Sequence, residues 1–150
     1  MDESFPANDK SIGQKILAKY GGKVGWKRPA PGSSVKKDTF SPMDVTQGKV
    51  GDCYLMSAMS VLGDEYLNKI LFMDPKENEG VLQAPETGAF IVKFFINYSP
   101  YYMIIDDQFP VNDDGDWLFG HADDKLELWP NILEKAYSKL HGSYENIVSG

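Results

Sequence analysis

Cys53 is the residue with the clearest chemical potential, and it is the single cysteine in the 150-residue sequence. Two glycines precede it, Gly48 and Gly51, whose backbones can adopt positive φ or approach another chain closely. Asp52 is a plausible helix N-cap, and apolar residues recur at helical spacing over residues 54–62. The sequence therefore predicts a thiol at the N-terminus of a helix, where the helix dipole favours the thiolate.

A second polar group lies six residues upstream of the cysteine. Gln47 has a side-chain amide that can donate a hydrogen bond near the sulfur. A nucleophile, an activating dipole and an amide donor are together the ingredients of thiol acyl transfer. A lone cysteine on an apolar helix is also commonly a small buried hydrophobic residue. The residue types leave these two interpretations open, and a more remote hypothesis is a redox-sensing thiol.

The elements before this segment are short. Ser11 and Gln14 match a capping box at the start of a helix that glycines at positions 21 and 22 would end. Trp26 is expected to anchor a loop in a stretch rich in Pro, Gly and Ser that continues to about Asp44.

The sequence after the central helix predicts helices and a small antiparallel sheet, so the fold class is α+β. The predicted elements are a helix at 66–71, a polar loop at 75–88, strands at 89–98 and 101–109, a third strand at 117–119, and a last helix beginning at Pro130 and ended by Gly142. Ser99-Pro100 is the predicted turn between the two long strands.

The acidic turn at 112–116 invites comparison with an EF-hand calcium loop. With Gly115 at the sixth loop position, Pro110 stands at the first and His121 at the twelfth, where carboxylates are required. The spacing excludes an EF-hand, and the aspartates of this turn are predicted to be turn formers.

Composition excludes several classes of function. The formal net charge of −7 and the pI of about 4.7 disfavour a nucleic-acid partner. No apolar run approaches the roughly 20 residues of a membrane span, and the acidic N-terminus lacks the apolar core of a signal peptide. A single cysteine cannot form an internal disulfide, so a reducing compartment is the default. We expect a cytoplasmic protein.

Several motifs resemble, in order, segments of the calpain family. Gln-Gly-x-x-Gly-Asp-Cys at 47–53 is similar to the calpain nucleophile segment, with Tyr54 where many members have Trp. Further similarity runs through most of the chain, in Phe5-Pro6, Ser11-Ile12-Gly13, Trp26–Pro29, Ile104–Pro110 and Leu128–Glu145.

The resemblance implies a papain-like, calcium-dependent cysteine endopeptidase that cleaves protein substrates. It implies that Cys53 is the nucleophile and that Gln47 and the Cys53 backbone N–H form the oxyanion hole. It further implies a lead-in with a short helix over residues 1–25 and, over 26–150, the first lobe of the protease core, with a central nucleophile helix packed by other helices.

The catalytic base is expected on a second lobe. In papain-like proteins the histidine and asparagine lie roughly 130–150 residues beyond the cysteine, and 97 residues follow Cys53 here. The available histidines, His121 and His141, do not match the family's base. The lobe alone is therefore expected to be inactive until a second lobe supplies His and Asn. The alternative hypothesis is a non-catalytic, calpain-derived regulatory or interaction module.

The resemblance also implies one calcium site in this lobe. Its acidic ligands would be Asp44 and Glu127, with backbone carbonyls near Lys37 and Thr39. Calpains tend to have an apolar residue and a glycine at these two carbonyl positions. Pro42 stands where the family has the arginine that links the two lobes, which is a departure at the expected calcium switch.

Overall fold

The computed structural model describes residues 2–36, 45–48, 51–62, 64–72, 77–78, 81–83 and 88–148. Its helices are α1 (Asp9–Ile12), α2 (Gln14–Lys19), α3 (Cys53–Ser60), α4 (Asp64–Ile70), α5 (Trp129–His141) and a 3-10 helix (Glu145–Ile147). Its strands are β1 (Gly25–Lys27), β2 (Ser34–Lys36), β3 (Val45–Thr46), β4 (Leu71–Phe72), β5 (Glu77–Asn78), β6 (Val81–Gln83), β7 (Ala89–Ile96), β8 (Ser99–Asp106), β9 (Phe109–Val111) and β10 (His121–Ala122).

The strands of the described residues form four small sheets. Their orders are β1-β9, β3-β10, β2-β6-β5 and β4-β7-β8, and the ladders are antiparallel. Helices combined with small antiparallel sheets confirm the predicted α+β class. The sequence predicted one such sheet because short paired segments carry little periodic signal.

The long hairpin turns two residues earlier than predicted. Asn97 and Tyr98 occupy the turn with φ of 49° and 64°, whereas Ser99 and Pro100 already pair with Ile96 and Phe95. Two successive residues with positive φ fit the type I′ turn that matches the twist of a hairpin. Pro100 is tolerated because β8 is an edge strand of its sheet.

Other local predictions were wrong as well, mainly where short segments pair with strands distant in the sequence. Residues 117–119 form only an isolated bridge, Val111 with Trp117, while Trp26 belongs to β1 and pairs with β9. The predicted loop at 75–88 contains β5 and β6 among its described residues. Gly13, with φ of 98°, divides the first helix in two, and Ser11 donates its hydroxyl hydrogen bond to the Pro6 carbonyl instead of forming a capping box.

Two apolar clusters hold these elements together. The larger joins α3, α4, β7, β8 and α5, with buried side chains including Met56, Leu67, Phe90, Met103 and Trp129. The smaller packs the N-terminal residues against the C-terminal ones and includes Phe5, Ile12, Leu17, Phe119, Tyr144 and Ile147. The N-terminal lead-in thus shares a core with the end of the described chain.

Helix α5 has the ends predicted for it. Pro130 lies in its first turn, and Gly142 ends it in the left-handed conformation with φ of 92°. The helix is buried almost all round over its first eight residues, Glu134 and Lys135 included. An amphipathic pattern predicts only one buried face, so the burial of these two charged residues was not foreseen.

Candidate active site

Cys53 is the first residue of α3, and its side chain is exposed. The amides of Leu55 and Met56 both donate to the carbonyl of Asp52, which forms the first turn of the helix. This confirms the predicted thiol at a helix N-terminus. An exposed thiol contradicts the interpretation of Cys53 as a small buried core residue.

The two glycines before the cysteine are required by the backbone. Gly51 has φ of 84°, in the region that favours glycine. A Cβ on Gly48 would lie 2.1 Å from the carbonyl carbon of Phe119, a distance that no side chain tolerates. The backbone of Gly48 therefore lies directly against the backbone of Phe119.

Gln47 follows β3 directly, and its side chain is exposed. Strand β3 pairs with β10 and packs against α3, so Gln47 lies at the end of a strand that contacts the cysteine-bearing helix. Within the described residues, neither the Gln47 amide nor the Cys53 thiol takes part in a hydrogen bond. Both side chains are exposed.

Two buried carboxyl groups, those of Asp52 and Glu134, lie next to the start of α3. Asp52 has the N-cap position, but its side chain makes no capping hydrogen bond; it is fully buried beside Glu134, which is also buried. The predicted cap is therefore correct in position and wrong in its bond, because the carboxyl turns inward. Both oxygens of Glu134 accept the N–H of Gly120, at 3.0 and 3.1 Å.

The environment shifts the proton affinity of Glu134. Burial raises its pKa well above the ordinary value, and the charge and hydrogen bond of Asp52 act in the same direction, while the Gly120 N–H opposes them. The glutamic acid is therefore favoured over the glutamate.

The residue after the cysteine, Tyr54, packs against another tyrosine ring. The rings of Tyr54 and Tyr137 meet edge to face with centroids 6.5 Å apart. Desolvation, then the charge and hydrogen bond of Tyr137 and the charge of Asp52, raise the pKa of Tyr54 to about 12. Tyr54 is a neutral hydroxyl at physiological pH.

The two histidines contact residues other than Cys53. His121 Nδ1 is 2.8 Å from the Phe119 carbonyl oxygen, and His141 packs on Tyr137 with ring centroids 4.5 Å apart. Neither is hydrogen bonded to Cys53 in the described part of the chain. Within the described residues, no imidazole is hydrogen bonded to the Cys53 thiol.

Of the residues expected to hold calcium, only Glu127 falls within the described ranges. It is buried, its N–H donates to the Asp124 carbonyl, and it forms a bridge with Ser34 of β2. Asp44, Lys37 and Thr39 lie outside the described residues. The ranges that are described contain no group of three or more His, Cys, Asp or Glu side chains able to hold a metal.

Three residues that build this site were not singled out from the sequence. Glu134 stood within a motif but received no role, Phe119 was assigned to the end of a predicted strand, and Gly120 received no assignment. Phe119 contacts Gly48, 71 positions earlier, and Glu134 interacts with Asp52, 82 positions earlier, whereas the Gly120–Glu134 hydrogen bond spans 14 positions. No local pattern signals contacts of that range.

Comparison with known proteins now places this geometry in a family. The family model described as "Calpain family cysteine protease" matches residues 1–150. The chain is 34% identical to the calpain-type cysteine protease DEK1 of Arabidopsis thaliana, 33% to the calpain-2 catalytic subunit of Rattus norvegicus and 35% to calpain-14 of Homo sapiens. Each match covers 99% of this chain, and 7%, 22% and 22% of those proteins, respectively.

The chain belongs to the calpain family of cysteine proteases, and its α+β fold is that of a papain-like lobe. It spans about a fifth or less of the length of these relatives. None of the helices in the described residues is long and apolar enough to cross a membrane.

Proposed function

We propose that this chain is the nucleophile-bearing lobe of a calcium-dependent cysteine endopeptidase acting on protein substrates in the cytoplasm. Residues 1–25 form its lead-in and residues 26–150 the lobe itself. The observation that carries the proposal is the exposed Cys53 thiol at the start of α3, in a segment where the Gly48 backbone lies directly against that of Phe119.

The chemistry follows from this position. The Cys53 thiolate attacks the substrate carbonyl carbon, a C–S bond forms, and the carbonyl π electrons move to oxygen. The Cys53 backbone N–H lies in the first turn of α3 and has no partner within the helix, so it is free to donate to the oxyanion. The amide of Gln47 is the second donor. Collapse of this intermediate expels the amine, which takes up a proton, and leaves the acyl-enzyme for hydrolysis.

The base that takes the thiol proton comes from a second lobe, which supplies His and Asn. The lack of a histidine hydrogen bonded to Cys53 in the described residues supports this division of labour. The same observation is compatible with a second candidate function, that of a non-catalytic regulatory or interaction module of calpain origin.

Hydrolysis of a denatured protein such as casein tests the catalytic assignment. We expect no cleavage by residues 1–150 alone, and cleavage when the chain is joined to a His- and Asn-bearing lobe. Cys53→Ala should abolish that cleavage, and Gln47→Ala should lower kcat by about 10²–10³-fold, the usual cost of one oxyanion donor. Asp114→Ala, in the exposed turn, is the matched control. Full activity of Cys53→Ala would refute the proposal.

We further propose that calcium binds between Glu127 and Asp44, with carbonyls near Lys37 and Thr39. Glu127 is a buried carboxyl group beside β2, the strand that ends one residue before Lys37, and hard oxygen ligands suit Ca²⁺. Calorimetry with Ca²⁺ should give binding heat with the wild type and with Asp114→Ala, and none with Glu127→Ala or Asp44→Ala. Equal heats in all four proteins would refute this site.

A further inference from the structure

Asp52 and Glu134 form a pair of buried carboxyl groups directly under the nucleophile. Their side chains are 0% and 1% exposed, and they come from segments 82 positions apart in the sequence. No N–H or hydroxyl among the described residues donates to either oxygen of Asp52. The Glu134 carboxyl is near enough to interact with the Asp52 carboxyl, by charge and by hydrogen bonding if one of the two is protonated.

A hydrogen bond between two carboxyl groups requires a proton on one of them. Two carboxylates in contact in a desolvated site cannot both be ionised at low cost. No ion pair in the described residues involves Asp52 or Glu134, so no cation relieves their repulsion. The adjacent cation, Lys135, bonds to Asp106 instead.

Two tyrosines of the described residues interact with the pair, and His121 of β10, which packs against α5, lies beside Gly120. Tyr144 of the 3-10 helix is fully buried, and burial followed by the charges of Glu134, Asp52 and Asp106 raises its pKa well above the ordinary value. Tyr54, on α3, also has its pKa raised in part by Asp52. These phenols stay neutral when Glu134 loses its proton, so they cannot compensate a second negative charge.

We propose that Asp52 and Glu134 share one proton, and that this shared proton holds the first turn of α3, and with it Cys53, against α5 and the Phe119–His121 segment. The two acids are positioning residues: neither touches a substrate, and both act through the placement of the Asp52–Cys53 backbone. Their catalytic consequence rests on the proposed role of Cys53, whereas the shared proton does not.

Loss of this proton would set two like charges face to face beneath the loop. Because the proton belongs to the folded state, the folded protein binds more protons than the unfolded chain at pH values above about 4.3, the ordinary pKa of Glu. Stability contributed by the pair is therefore present below that pH and is lost as pH rises towards the folded pKa of Glu134. Within this window the folding equilibrium constant falls about ten-fold per pH unit.

Glu134→Gln tests the proposal without removing the hydrogen bonds. The Gln amide nitrogen replaces the proton as donor to Asp52, and the Gln oxygen can still accept the Gly120 N–H. Urea unfolding from pH 4 to 9 should show a stability decline in the wild type that Glu134→Gln lacks. Glu65→Gln, at an exposed glutamate paired with Lys69, is the control and should follow the wild type. Parallel profiles for the wild type and Glu134→Gln would overturn the shared proton.

Alkylation of Cys53 by iodoacetamide over the same pH range tests the positioning role. At the pH where the wild type loses stability, its alkylation rate should approach that of an unfolded peptide of residues 47–60, while Glu134→Gln keeps the rate of the folded site. If the unfolding profiles differ but the alkylation profiles coincide, Cys53 is not positioned by the pair and that part of the proposal is wrong. Neither measurement depends on peptide hydrolysis, so failure here is distinct from failure of the proposed protease function.

Discussion

Glu134 and Lys135 are neighbours on α5, both are completely buried, and their charges are accommodated in opposite ways. Glu134 faces a second acid, Asp52. Lys135 faces Asp106, with its Nζ 2.6 Å from Oδ1 and donating as well to the carbonyls of Asp106 and Gln108 at 3.0 and 2.5 Å. One residue thus meets a like charge and the next an opposite charge.

The proton affinities follow from these partners. Burial lowers the pKa of Lys135, and the hydrogen bond and charge of Asp106 act against it. Burial alone would raise the pKa of Asp106, but Lys135 and the N–H groups of Asp2 and Gln108 hold it below the ordinary value. The interaction with Asp106 therefore favours the charged form of Lys135, whereas burial and the interaction with Asp52 favour the protonated form of Glu134.

The two buried pairs therefore have different roles: the Lys135–Asp106 pair supports the fold, and the Asp52–Glu134 pair supports the candidate active site. The satisfied ion pair joins the corner between β8 and β9 to α5. The pair of acids lies under Cys53, where a conditional interaction can influence the chemistry. A single helix fixes both, which explains how a buried α5 can stabilise the fold and support the nucleophile loop.

Removing the buried cation gives the largest expected effect. Lys135→Met leaves Asp106 buried without its partner, and breaking a buried pair in this way costs about 3–5 kcal/mol. Urea denaturation measures the loss. Lys125→Met, which removes an exposed partner of Asp116, should cost less than about 1 kcal/mol. Equal effects of the two variants would show that the buried pair is not the scaffold element inferred here.

The sequence predicted the parts of this arrangement that are local. The helix that begins at Cys53, the glycine at position 51 and the ends of α5 at Pro130 and Gly142 each follow from short-range stereochemistry. The α+β class followed from the alternation of helical and strand patterns. The calpain motifs supplied the family, which the comparisons confirm.

What the sequence did not predict depends on contacts between distant segments. Asp52 was expected to cap α3, but Glu134 draws its side chain inward. Trp26 was expected in a loop, but β9, some 80 residues later, pairs with it. Such partners leave no mark on periodicity. The Asn97-Tyr98 turn was also missed, because Pro100 is a strong turn signal and a poor strand residue except at an edge.

On the site side, Gly48→Ala should be the most damaging small change. The added methyl would overlap the Phe119 backbone, which cannot move as a flexible side chain can, and overpacking of this kind costs about 1–3 kcal/mol. Alkylation of Cys53 should change with it, because the loop must shift. Gly21→Ala has open space but φ of 71°, so it should cost about 1 kcal/mol through backbone strain and leave Cys53 reactivity unchanged.

The stability of the protein at acid pH tests the Lys135–Asp106 pair separately from the Asp52–Glu134 pair. Because the pKa of Asp106 is depressed in the folded state, its stabilisation is present above about pH 4 and is lost as pH falls through the folded pKa. Asp106→Asn should therefore flatten the acid limb of the unfolding profile, while Asp113→Asn, in the exposed turn, should leave it unchanged. Glu134→Gln should leave this limb unchanged as well. If Asp106→Asn and Glu134→Gln changed the acid limb in the same way, the two buried pairs would not differ in pH dependence, and the contrast between them would be wrong.

Cys53→Ala should have the smallest effect on stability of the variants considered. The thiol is exposed and forms no hydrogen bond within the described residues, so its removal should change the free energy of unfolding by no more than about 0.5 kcal/mol. Iodoacetamide labelling should disappear completely, since no other cysteine exists. A loss near the 2 kcal/mol or more typical of a truncated core residue would instead restore the interpretation of Cys53 as core packing. This variant therefore tests whether chemistry and stability are separate at the first residue of α3.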